Sequence, residues 1–186
     1  MQFKEVWEKG PLEVSKAKDQ GQHHEFTHLV KPQINAVLQG ATSLCWVYAN
    51  FNLLSINFIR ENNLLPSFQF SAAFFMFYDR LEKANLFLHK IVELKEFSLN
   101  SEEMKRLLNE PTDEGGETCG FANIVKKYGM VPLEAMPHSS CMNNTKFFNR
   151  ALHSYLRFCA QDFSTQIIRS KILNRFLGRV KVILMR

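Results

Sequence analysis

The sequence predicts a helix-rich fold, on three observations. Apolar residues recur at spacings of three and four over several long stretches, the period of an amphipathic helix. The chain is rich in phenylalanine and poor in glycine, with 17 and 8 of them in 186 residues. That composition suits thick helical packing better than a sandwich of short strands joined by glycine turns. Ahead of residue 164, extended segments are expected over residues 23–38 and 131–137.

Residues 1–22 are polar and mixed in charge, with one short helix expected before Gly21. The extended segment at 23–38 is broken at Pro32, whose ring disfavours helix in the residue before it. Residues 39–43 form a small polar loop. A helix is expected from Cys45 to about Asn62, with Phe51, Leu54, Phe58 and the neighbouring Leu53 as its apolar face. Pro66 ends the connection that follows. Residues 71–94 predict a long helix carrying Phe74, Phe77, Leu81, Leu88 and Ile91 on one side. Asp79, Arg80, Glu82 and Lys83 are expected largely on the other. Residues 101–109 predict a short charged helix. Residues 111–116 are a loop, because acids and paired glycines favour turns. Residues 118–128 predict a helix that stops at Gly129. Residues 145–163 predict a last amphipathic helix.

Charge and cysteine content narrow the function classes. With 46% hydrophobic residues the chain can build the core of one domain, and the 22% charged residues exclude compositional disorder. The net charge is +5. Residues 164–186 hold Arg169, Lys171, Arg175, Arg179, Lys181 and Arg186 and no acid, so the basicity belongs to this tail. Its apolar residues Ile167, Ile168, Ile172, Leu173, Phe176 and Leu177 fit a basic amphipathic helix, and residues 180–184 fit a strand. Such a helix binds anionic membranes or nucleic acid. The favoured reading is instead a frame altered or truncated near residue 163, which leaves the tail as unselected sequence. The cysteines at 45, 119, 141 and 159 form no C-x-x-C pair, so free thiols are expected and no metal site. The first ten residues lack the apolar core of a signal peptide. The most apolar stretch, 64–78, is interrupted by Pro66, Ser67, Gln69 and Ser71 and is shorter than the ~20 residues of a spanning helix. A soluble, cytoplasmic protein is expected.

The segment that carries chemistry is Gln39-Gly40-Ala41-Thr42-Ser43-Leu44-Cys45-Trp46. A thiol becomes a strong nucleophile where its thiolate is stabilised, and the free N–H groups and dipole at a helix start do this. Cys45 lies where a polar loop hands over to a helix. Six residues upstream, the Gln39 amide can fold back beside the sulfur. With the backbone N–H of Cys45 it would form an oxyanion hole.

Cys45-Trp46 with Gln39 at minus six resembles the active-site segment of papain-like cysteine peptidases. The wider sequence resembles one branch, the bleomycin hydrolases and bacterial aminopeptidases C. The stretches that carry this are residues 24–30, 70–85, 108–116 and 123–132 followed by Met136-Pro137, in order along the chain. The resemblance covers roughly residues 24–163, taken as one partial peptidase domain over 1–163 with the basic tail of 164–186 apart from it. It implies the α+β papain-like fold, here its helix-rich N-terminal part, with most of the β-rich subdomain missing. It implies thiol-dependent aminopeptidase activity on peptides, no cofactor, a cytoplasmic location and a hexameric ring. It assigns Cys45 as nucleophile and Gln39 as oxyanion donor. Gly115, Gly116 and Trp46 are assigned to peptide binding; paired glycines let an extended backbone approach closely.

Three departures accompany the resemblance. Ser43 stands where such peptidases have glycine, and would be strained if that position needed a positive φ. Leu44 is expected to place an apolar side chain beside the cleft. None of His23, His24, His28, His89, His138 and His153 has the context of the family's catalytic histidine, and with Trp7 and Trp46 the only tryptophans, its Asn-Ser-Trp segment is absent. Three functions follow as expectations: a peptidase completed by another chain, an inactive remnant retaining an interaction surface, or a membrane- or nucleic-acid-binding module acting through the tail.

Overall fold

The computed structural model describes residues 2–10, 13–14, 27–35, 37–94, 97–98 and 100–165, with backbone only at 2–3 and 162–165. The chain forms two units, residues 1–31 and 32–186. In the first, helix α1 (Gln2–Lys9) carries a Glu5–Lys9 ion pair one turn apart. The second holds α2 (Cys45–Glu61), α3 (Ala72–Glu93), α4 (Glu102–Asn109), α5 (Thr118–Tyr128), a 3-10 turn (Ser140–Met142) and α6 (Lys146–Thr165). The tail helix and strand expected from residue 166 onward lie outside the described residues.

The helix boundaries follow local chemistry. Ser71 caps α3 by accepting from the Phe74 N–H at 3.1 Å, and its hydroxyl donates to the Met136 carbonyl at 2.6 Å. Ser101 caps α4 the same way through the Met104 N–H. Such caps satisfy donors that the first turn leaves unpaired. Gly129, at φ 78°, closes α5.

The long helix α3 is central, and core residues pack on both of its halves. Its first half joins α2 and α5 through Leu44, Val47, Phe51, Phe70, Phe75, Phe121 and their neighbours. Phe75 stacks on Phe121 at 4.8 Å, and Phe51 meets both edge-on. From Phe77 onward, Phe77, Leu81, Phe87, Leu88 and Ile91 pack against Met104 of α4 and Leu152 and Leu156 of α6. Across to α5, the Glu82 carboxylate accepts from Lys127 and from the Tyr128 hydroxyl. Among the described residues there is no strand ladder, only single bridges pairing Ala41 with Asn144 and Phe70 with Pro132. After α5 the chain meets the lead into α3 at the Phe70–Pro132 bridge, and the extended course expected over 131–137 gives way there to a turn, with the Ala135 N–H donating to the Pro132 carbonyl. The helical part of the expected α+β fold is therefore present in the described residues.

Two side-chain expectations change. The buried face of α2 is Val47, Asn50, Phe51, Ser55 and Ile59, while Leu53 is 68% exposed and Leu54 and Phe58 are 38% exposed. The face toward α3 and α5 follows the i, i+4 series from Val47 rather than the series through Leu54. On α3, Asp79 and Arg80 are buried rather than solvent-facing. They support the loop before α5.

Candidate active site

The site begins at the loop that enters α2. Gly40, at φ 68°, takes a left-handed conformation that suits glycine, and a Cβ there would stand 3.0 Å from the Asn143 carbonyl. The Ala41 N–H donates to that carbonyl at 2.9 Å. Gln39 and Thr42 close the loop on themselves. The Gln39 amide donates to the Thr42 carbonyl at 2.5 Å, and the Thr42 hydroxyl to the Gln39 carbonyl at 3.0 Å. Gln39 thus spends one of its two amide N–H bonds within the loop, and its bond is to Thr42 rather than Cys45.

Leu44 does not line a cleft. It is fully buried in the core beside Val47 and Phe51, and anchors the loop. Its carbonyl accepts the first helical N–H groups, from Val47 and Tyr48. Cys45 is the first residue of α2 and is exposed. Its own N–H belongs to the helix start, where backbone donors have no intrahelical partner. Ser43 carries no strain: among the described residues, Asn63 is the one non-glycine with positive φ. Its hydroxyl donates to Glu114 at 2.5 Å.

The Trp46 ring stands edge-on to Phe75 at 5.4 Å, with Lys83 Nζ 5.6 Å from its centroid. Over it lies the glycine loop. A Cβ on Gly116 would stand 2.4–2.7 Å from three atoms of the Trp46 indole, so only glycine fits. Gly115 is exposed and open, with its nearest foreign atom, Asp113 Oδ1, at 3.9 Å from such a Cβ. The structure therefore brings Trp46, the chain neighbour of Cys45, against Gly116 across 70 residues of sequence.

Charged groups of α3 hold the glycine loop from below. Lys83 Nζ donates to the Asp113 and Gly115 carbonyls, each at 2.6 Å, and Arg80 donates to Asp113 at 3.2 Å. Asp79 pairs with both cations at 3.2 Å. Burial pushes the Asp79 carboxyl up, against the pull of Lys83 and Arg80, and pushes the Lys83 ammonium down. Desolvation is the cost of placing this cluster under the loop. Sequence reasoning placed Arg80 and Lys83 on the solvent side of the helix and missed this role; nothing in their helical spacing sets them apart from the other charges of α3.

The histidines are elsewhere. His153 Nε2 shares a hydrogen bond with Thr112 Oγ1 at 2.8 Å, and burial, helped by Arg157, pushes its imidazole down toward the neutral form. His89 is exposed on α3, and His138 lies in the segment before the 3-10 turn. His28 belongs to the first unit, and His23 and His24 lie outside the described residues. No described histidine hydrogen-bonds Cys45. Among the described residues, no three His, Cys, Asp or Glu side chains gather to hold a metal ion, and no helix is long and apolar enough to cross a membrane.

The profile of the Peptidase C1-like family matches residues 4–176. The chain belongs to this family. Among Peptidase C1-like relatives, cysteine proteinase 1, mitochondrial, of Saccharomyces cerevisiae is 36% identical over 132 residues, which are 69% of this chain and 27% of that protein. The bleomycin hydrolase of Rattus norvegicus is 31% identical over 153 residues, 78% of this chain and 33% of its own length. The chain thus spans about a third or less of these relatives. The crystal structure of PepW from Lactobacillus rhamnosis HN001 superposes with a TM-score of 0.81 at 20% identity, over 96% of this chain and 41% of that one. At that identity the likeness is one of fold. The papain-like, bleomycin hydrolase-type family indicated by the sequence is the family found.

Proposed function

We propose that this chain carries the nucleophile half of a thiol-dependent peptidase site that releases N-terminal residues from peptides. The observation that carries the reading is the seating of Gly116 on Trp46, beside a cysteine at the first position of a helix. The relatives, a cysteine proteinase and a bleomycin hydrolase, support the reaction class. A peptide would lie extended along Gly115 and Gly116. Cys45 Sγ, as thiolate, attacks the carbonyl carbon, and the carbonyl electrons move to oxygen. The Cys45 N–H and the second Gln39 N–H receive that oxyanion. Its collapse breaks the C–N bond, leaving a thioester on Cys45 while the amine departs with a proton. Water then hydrolyses the thioester. The proton donor is an imidazole in this chemistry. Since no described histidine reaches Cys45, the proposal requires that group from outside the described residues.

The test uses a short peptidyl chloromethyl ketone on the purified chain, with the alkylated cysteines identified by mass spectrometry. Cys119 and Cys141 are exposed and free and serve as internal controls. Cys45 is expected to be labelled several-fold faster than either, and excess unreactive peptide should remove the advantage. Equal labelling of the three thiols would refute the reading.

A further inference from the structure

Glu114 sits at the meeting point of three segments that make the site. One carboxylate oxygen accepts from the Ser43 hydroxyl at 2.5 Å, and the other from Asn149 Nδ2 at 2.5 Å. Ser43 belongs to the nucleophile loop, two residues before Cys45; Asn149 is buried on α6. Glu114 itself directly precedes Gly115 and Gly116. The same nucleophile loop is tied to the lead into α6 by Ala41 and Asn143. We propose that Glu114 is a positioning residue of this site: its carboxylate fastens the nucleophile loop, the glycine loop and α6 to one another, and so keeps Gly116 seated on Trp46. The inference rests on reading Cys45 and the two glycines as one site. Ser43, the departure from glycine in the resemblance, is what supplies the donor.

The bond is one that an ionised carboxylate makes best, since both oxygens then only accept. The Ser43 hydrogen bond, with that of Asn149, holds the Glu114 carboxyl below the ordinary glutamate range, against partial burial. Arg80 from α3 and His153 from α6 are the charged and titratable groups that face it, and both favour the anion. Asp113 neighbours it on its own loop, occupied with the Gly115 N–H. A depressed carboxyl contributes fully above its unfolded value, and that contribution is lost as pH falls through the folded one. The fastening is therefore intact at neutral pH and released in acid.

Trp46 reports on it directly. In a Trp7→Phe background it is the single indole. Its emission is followed from pH 7 downward, with far-UV circular dichroism recording helix content. The expected result is a reversible change in Trp46 emission at constant helix content, with a midpoint below the ordinary 4.5. Glu114→Gln, which keeps the shape and cannot titrate, should abolish the transition. Ser43→Ala, which removes the leading cause of the depression, should move the midpoint upward. A transition that persists unchanged in Glu114→Gln, or a midpoint unmoved by Ser43→Ala, would overturn the proposal. If Glu114→Gln fails to fold, Ser43→Ala reads the same bond. These signals do not involve the Cys45 thiol, so the fastening and the nucleophile assignment stand or fall separately.

Discussion

Gly116→Ala is expected to abolish the peptide-directed advantage of Cys45 in labelling and to destabilise the fold by about 1–3 kcal/mol, the range for forcing a methyl group into a packed site. The added Cβ would lie 2.4 Å from Trp46 Cε2, 2.5 Å from Cζ2 and 2.7 Å from Cδ2. The indole is a rigid plane, with Phe75 against its edge and Lys83 near its face. Either the loop lifts, breaking the Lys83 bonds to Asp113 and Gly115, or the indole moves and takes the start of α2 with it. Both outcomes separate Cys45 from the glycine edge. Gly115→Ala is the control: its Cβ meets nothing closer than 3.9 Å, so urea unfolding should be nearly unchanged. Equal effects of the two substitutions would show that the contact with Trp46 is not what the glycine serves.

The second large effect concerns amide hydrolysis. Assayed alone, the 186-residue chain should turn over an aminoacyl-coumarin amide roughly 100- to 10,000-fold more slowly than a site with a positioned imidazole, which is the usual worth of general acid–base catalysis. An amine leaves poorly without a proton. The His153 imidazole is engaged with Thr112, and no described histidine bonds Cys45. The measurement is kcat/KM beside a Cys45→Ala control. Fast turnover abolished in that control would mean that one of the chain's histidines reaches the thiol.

Much of the helical framework was legible because it is written locally. Ser71, Ser101 and Gly129 mark helix ends through their own side chain or backbone freedom, and α2 ends at Glu61, one residue from the expectation. The start of α2 at Cys45 has no side-chain cap, its N-cap being Leu44, and was readable from the polar loop that precedes it. What was not legible depends on residues far apart. Asp79 and Arg80 look like solvent-facing charges by helical period, yet both are buried, where Arg80 pairs with Asp79 and donates to the carbonyl of Asp113, some thirty residues later. Leu44 reads as cleft-lining from its place before Cys45, but the turn into the helix rotates it into the core. The pairing of Ser43 with Glu114 spans 71 residues, and no spacing rule finds it. The nearness of Trp46 to Gly116 is likewise a tertiary fact. The basic tail offered a clear charge pattern, but from residue 166 onward it lies outside the described structure.

The central claim is that Cys45 is a nucleophile presented to a peptide carbonyl. The direct measurement is acylation by an aminoacyl p-nitrophenyl ester, whose phenolate leaves without needing a proton, followed by intact mass and peptide mapping. One acyl group per chain, held as a thioester on Cys45 and absent from Cys119 and Cys141, with a matching stoichiometric release of p-nitrophenolate, is the predicted result. Acylation spread evenly over the exposed thiols, or sparing Cys45, would contradict it.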